Sequence, residues 1–71
     1  PQPSPLDNPP PHEQEVLVRA DFDFVARNDG EMSLVVGDVC QVVETEGAWI
    51  RGAKVGTPEM GWFPGNFVTH L

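Results

Sequence analysis

The chain has 71 residues, eleven acidic and four basic side chains, and a formal charge of −7, which leaves room for one small domain with a thin margin of stability. The acidic balance excludes nucleic acid as a partner, since phosphates are held chiefly through Lys and Arg. No apolar run approaches the roughly 20 residues of a membrane helix, and no basic-then-apolar signal pattern opens the chain. Residues 1–15 form a segment of their own. Six of the first eleven residues are proline, and neither a strand nor a helix period runs through them, so a disordered or polyproline-like linker is predicted. No two of these prolines stand three apart, so the linker lacks a PxxP core of its own. The absence of an initial methionine sets the expectation of a piece cut from a longer protein.

From Val16 onward the pattern changes. Val16, Val18, Ala20, Phe22 and Phe24 alternate with Leu17, Arg19, Asp21 and Asp23, the period of a half-buried strand. Turn formers from Arg27 to Glu31 interrupt it, Met32-Ser33-Leu34 resumes it, and Gly37-Asp38 marks another turn. Val39 to Val43 is a β-branched run. A loop is predicted at Glu44 to Gly47, a strand from Ala48 to Lys54, a turn from Val55 to Glu59 and a short strand from Met60 to Phe63. No helical period is sustained anywhere, and short strands with turn signals every eight to twelve residues suggest a small all-β barrel or sandwich. Its predicted core is Val16, Val18, Ala20, Met32, Leu34, Cys40, Val42, Ile50, Phe63 and Val68.

The segment Gly61-Trp62-Phe63-Pro64-Gly65-Asn66-Phe67-Val68 carries the strongest functional signal. In an extended segment Trp62 and Pro64 share one face while Phe63 takes the other. Pro64 removes a donor and Gly65-Asn66 tolerate a tight turn, so the strand should stop there. A single 3₁₀ turn would bring Phe67 beside Pro64. Trp62, Pro64 and Phe67 then form an apolar shelf, which suits the pyrrolidine ridges of a polyproline II ligand.

With these residues the chain resembles the Src homology 3 (SH3) family. Ala20-Asp21-Phe22-Asp23-Phe24 stands where that family has Ala-Leu-Tyr-Asp-Tyr. Glu31-Met32-Ser33-Leu34 followed by Gly37-Asp38 is similar to the end of its long RT loop and its diverging turn. Gly47-Ala48-Trp49-Ile50 resembles the segment bearing its ligand-binding tryptophan, and Gly61 to Val68 its Gly-Tyr-Ile-Pro-Ser-Asn-Tyr-Val pattern. The resemblance runs from about Val16 to His70 and implies a five-stranded antiparallel β-barrel with a 3₁₀ turn before the last strand, over residues 16–71. It implies a monomeric, non-catalytic module that binds proline-rich segments flanked by Arg or Lys. By position the peptide surface comprises Phe22, Phe24, Trp49, Trp62, Pro64, Asn66 and Phe67, with Asp29 and Glu31 as acidic residues of the specificity pocket.

The chain departs from that pattern in having no tyrosine. Phe22, Phe24 and Phe67 replace three phenols, each able to make a hydrogen bond worth about 0.5–1.5 kcal/mol net. Asp21 replaces an apolar residue, and Ile50 stands where a second tryptophan is common. Phe67 also resembles the subset of these domains that bind ubiquitin. Two further readings stay open: a site occupied by an intramolecular segment, and an aromatic cage for methylated lysine.

Catalysis finds no footing. Ser33, Cys40, His12 and His70 make no nucleophile–base set, since His12 falls in the linker and His70 near the end of the chain. Cys40, alone, cannot form an internal disulfide and reads as a small core hydrophobe, which sets the expectation of a reduced, cytoplasmic protein. The carboxylates of Asp21, Asp23, Asp29 and Glu31 lack calcium-loop spacing, and no phosphate-binding glycine loop is present. Neither metal nor cofactor is expected.

Overall fold

Alternation decides the first element: Val18 and Ala20 turn inward while Leu17 and Arg19 do not, and this strand, β1, spans Leu17–Ala20. The protein is described here by a computed structural model covering residues 15–71, so the predicted linker lies outside the described residues except for Glu15. The strand predicted to run on to Phe24 stops four residues early. The Asp21 amide leaves the ladder and donates to the Phe67 carbonyl. Phe24 keeps only an isolated bridge to Leu34, so Met32 to Leu34 is one side of a long loop rather than a strand.

That loop closes in a tight turn at Val35–Asp38. Gly37 has φ of 96°, the left-handed conformation that the third residue of a type II turn requires. Asp38 accepts the Val35 amide through its side chain at 2.8 Å. Strand β2 follows at Val39–Glu46 and β3 at Trp49–Lys54. The predicted loop at Glu44 to Gly47 shrinks to Gly47-Ala48. Gly47, at φ of 59°, holds the first central position of a two-residue hairpin, where type II′ turns place glycine. A bulge at Val43 shifts the β2–β3 register, so that Val42 faces Gly52 and Glu44 faces Arg51. Strand β4 spans Met60–Pro64, a 3₁₀ turn Gly65–Phe67, and β5 Val68–His70.

All pairings are antiparallel, in the order β4-β3-β2-β1-β5. The expected closure into a barrel is not found. Strands β4 and β5 lie at opposite edges with no ladder between them, giving an open five-stranded sheet. Pro64 offers no amide to extend the β4 ladder, and the 3₁₀ turn carries the chain across to the far edge, held by the Gly65 amide on the Ala48 carbonyl and by the Phe67 carbonyl on the Asp21 amide. The free side of β4 is met by the long loop instead: Met32 donates to the Trp62 carbonyl and Trp62 to the Gly30 carbonyl, each at 2.9 Å.

The core consists of Val18, Ala20, Met32, Leu34, Cys40, Ile50 and Phe63, with Phe24, Val42 and Val68 packed against it. Val16 departs from the expectation and is 41% exposed, because it precedes the first β1–β2 pair, Leu17 with Gln41. Burial pushes the Cys40 thiol above its ordinary value, with the Asp38 charge adding to it, as befits a core side chain. Asp21, apolar elsewhere in the pattern, accepts the Thr69 hydroxyl and pairs with Arg19 at 3.7 Å. It ties the end of β1 to β5.

Candidate functional site

The β3–β4 ladder sets one half of the site. Trp49 faces Pro64 and Arg51 faces Trp62, and paired residues share a face. Trp49, Trp62 and Pro64 therefore lie together on the side opposite Ile50 and Phe63. The long loop and the 3₁₀ turn set the other half. Phe22 and Phe67 meet edge to face at 5.8 Å, Phe24 and Phe67 at 5.8 Å, and Phe24 and Trp49 at 6.2 Å. Such T-shaped pairs suit the ring quadrupoles and hold the rings in fixed relation. Phe22, Phe67, Phe24 and Trp49 thus form one continuous aromatic band. Phe22 is 59% and Trp49 38% exposed, so the band faces solvent at both ends.

Beyond Trp49 the band ends in a cleft of about 410 Å³ lined by Asp29, Glu31, Glu46, Trp49 and Trp62. The loop delivers Asp29 and Glu31 through the turn Asn28–Glu31, closed by the Glu31 amide on the Asn28 carbonyl with Gly30 at φ of 88°, and through the bridge from Glu31 to Trp62. Glu46 comes from the end of β2, directly across the ladder from Trp49. Among the described residues none of the three carboxylates joins an ion pair; the pairs are Arg19–Asp21, Arg51–Glu44, Lys54–Asp38 and Lys54–Glu59. The cleft concentrates negative charge, with Arg27 the cation that acts on Glu31.

Glu31 is nonetheless engaged. It accepts the Arg27 amide at 2.9 Å and the Asn28 side-chain amide at 3.0 Å. The Arg27 backbone bond, followed by the Asn28 side-chain bond, lowers its carboxyl below the ordinary value. A depressed folded value means that the brace contributes fully above the ordinary glutamate value, near pH 4.5, and is lost as pH falls through the lower folded value. Acid titration followed by NMR should move the Arg27 amide with a midpoint below that ordinary value. A midpoint at or above it would show that the brace is absent in solution.

Of the residues singled out from the sequence, Asp29, Glu31, Trp49 and Trp62 meet in the cleft, and Phe22, Phe24 and Phe67 form the band leading to it. Pro64 sits beside Trp49. Asn66 lies apart from the cleft, in a second hollow with Thr45, Gly47, Ala48, Ile50, Gly65 and His70, on whose rim Trp49 also stands. Glu46 is not among the residues the sequence points to, because the composition of Glu44 to Gly47 predicts a loop. A two-residue Gly47-Ala48 turn would have placed it opposite Trp49.

A small antiparallel sheet whose solvent-facing aromatic band leads into an acidic cleft has the arrangement of a protein-interaction module. The model of the SH3 domain family matches residues 19–65, and the chain belongs to that family. It is 40% identical over 58 residues to Rho guanine nucleotide exchange factor 7 of Rattus norvegicus, a match covering 80% of the chain and 9% of that protein. The chain thus spans under a tenth of the length of the curated relatives it matches. The C-terminal SH3 domain of myosin IB from Entamoeba histolytica is 32% identical, with 80% of this chain and 93% of that one aligned at a TM-score of 0.74. The same domain in a crystal structure bound to the EhFP10(GEF) peptide aligns over the same shares with a TM-score of 0.75. Among the described residues no helix is long and apolar enough to cross a membrane.

Proposed function

We propose that this SH3 domain binds proline-rich peptides that carry Arg or Lys beside the proline core, as one part of a longer adaptor, scaffold or signalling protein. The observation that carries the reading is the continuity of the aromatic band with the acidic cleft at Trp49. Grooves between flat rings accept the ridges of a polyproline II helix, whose preformed geometry keeps the ordering cost of binding low. The cleft's carboxylates attract a flanking cation and fix which way the peptide lies. A peptide-bound relative of the same fold and the small share of the relatives' length that this chain spans are consistent with both parts of the proposal.

The test is titration of the chain with PxxP peptides flanked by Arg, by Lys or by Glu, at low and high salt. Basic-flanked peptides should bind more tightly, with the advantage shrinking as salt screens the exposed charges. Equal affinity for basic and acidic flanks at low salt would overturn it. One observation favours a second reading: the band has no phenolic hydroxyl, so its exposed Phe22 suits an apolar patch on a folded partner such as ubiquitin. Ubiquitin binding with no response to proline-rich peptides would select that reading.

A further inference from the structure

We infer that the second hollow, on the rim of which Trp49 also stands, is a docking site for the chain's own proline-rich segment, residues 1–14, seated there through Pro9, Pro10 and Pro11. The inference stands apart from the peptide-binding reading above and needs no external ligand.

The first ground is where the segment arrives. Strands β1 and β2 run antiparallel, and the Val16 carbonyl accepts the Val42 amide at 2.8 Å. Chain that precedes Val16 is therefore aimed along β2 toward its end, and Thr45, three positions beyond Val42, lines the hollow. On the other side of β1, His70 pairs with Val18 and lines the same hollow. Both neighbours of β1 thus contribute to the hollow, beside the end where the segment enters the sheet. Val16 has the parity of the inward Val18 yet is 41% exposed, so the core is uncovered at that end. Three residues at the rise of a strand cover about 10 Å. The three prolines stand five to seven residues before Val16 and reach roughly 15–22 Å from it in polyproline II geometry.

The second ground is shape. The hollow encloses about 530 Å³, with Trp49 as its aromatic wall and the small residues Gly47, Ala48 and Gly65 around Ile50. Small residues let a backbone come close, and pyrrolidine rings fit against a flat aromatic side chain. A run of three prolines has little freedom left to lose on docking. A short tether also holds it at an effective concentration in the millimolar range, so a weak contact is enough to fill the site.

Charge is the third ground, and it selects between the two hollows that meet at Trp49. The segment carries Asp7 and Glu13 and neither Lys nor Arg. The cleft of Asp29, Glu31 and Glu46 repels such a segment, whereas the lining of the second hollow holds no carboxylate and includes the His70 imidazole. Docking in this way leaves the acidic cleft open.

NMR on the whole chain tests the assignment. Ring protons of Pro9, Pro10 and Pro11 should show nuclear Overhauser contacts to the Ala48 methyl group and the Trp49 indole. Replacing the three prolines by serine should erase those contacts and move the amides of Thr45, Ala48 and His70 more than any others in the sheet, while circular dichroism and the melt show the sheet intact. Ala48→Glu sets a carboxylate on the rim, where Ala48 is exposed, and should release the segment with the same loss of contacts. Should that variant fail to fold, the serine variant decides alone. A sample mixing isotope-labelled and unlabelled copies identifies the occupant. Contacts confined to labelled chains support the inference, and contacts between labelled and unlabelled chains put a second copy in the hollow and overturn it. Absence of the proline contacts in the unaltered chain, or a serine variant whose hollow amides stay unmoved, also overturns it.

Discussion

Trp49→Ala should weaken peptide binding by about thirtyfold or more while leaving the sheet folded. Trp49 is the shared wall of the site: it closes the aromatic band through Phe24, lines the acidic cleft and rims the second hollow. It is also 38% exposed, whereas its strand neighbour Ile50 is only 6% exposed, so the core loses little when the indole goes. Interface tryptophans are frequent hot spots, and truncation should cost about 2 kcal/mol or more of binding. Against a ligand of roughly micromolar affinity, about −8 kcal/mol, that raises Kd to tens of micromolar or weaker. Titration and thermal melting on the same variant check both halves. Loss of the folded state would mean that the indole supports the core, and unaltered affinity would mean that the groove lies elsewhere.

Phe63→Ala should have the opposite signature and unfold the domain outright. Phe63 alternates with Trp62 and Pro64, and it is fully buried. Its ring packs so closely over β3 that a methyl group on Gly52 would come within 2.9 Å of it. Removing a buried phenylalanine costs roughly 3–5 kcal/mol in transfer and cavity terms. A domain of this size holds only about 3–8 kcal/mol in all, at 0.05–0.15 kcal/mol per residue. Denaturant unfolding should show no cooperative native baseline for Phe63→Ala and a weakened but cooperative transition for Phe63→Leu. A normal melt for the alanine variant would place the centre of the core elsewhere.

These two phenotypes separate neighbouring aromatics that composition alone treats alike, and alternation is what made them separable. The period-2 facing of Trp62, Phe63 and Pro64 could be read from the sequence, as could the burial of Val18, Ala20, Met32, Leu34, Cys40 and Ile50, because local geometry and pattern agree there. Closure of the sheet could not. Whether β4 meets β5 depends on where a three-residue 3₁₀ turn sends the chain, and no side-chain pattern encodes that direction. The end of β1 at Ala20 is not legible in the sequence for a related reason. Asp21, Phe22, Asp23 and Phe24 continue the alternation, but the Asp21 amide is claimed by Phe67, 46 positions away by residue number, and such a partner is invisible locally. Glu46 was hidden by a turn shorter than its composition suggested. The band of Phe22, Phe24 and Phe67 was accessible only through the family pattern, since edge-to-face contact joins residues from distant parts of the chain.

The placement of β1 between β2 and the edge strand β5 has a consequence for how the molecule comes into being. Its partners are β2 on one side and, on the other, β5, whose last contact is the Leu71 amide donating to the Leu17 carbonyl at 2.9 Å. Of these five strands the one synthesised first is therefore paired on one side by the one synthesised last, so the sheet is complete only after synthesis of the whole unit. Contacts of such sequence separation slow folding, since the loop must close before they form. The same hydrogen bond brings the two ends of the unit together. A longer polypeptide would enter and leave it at nearly one point, carrying the module as a side branch and keeping its own span almost unchanged.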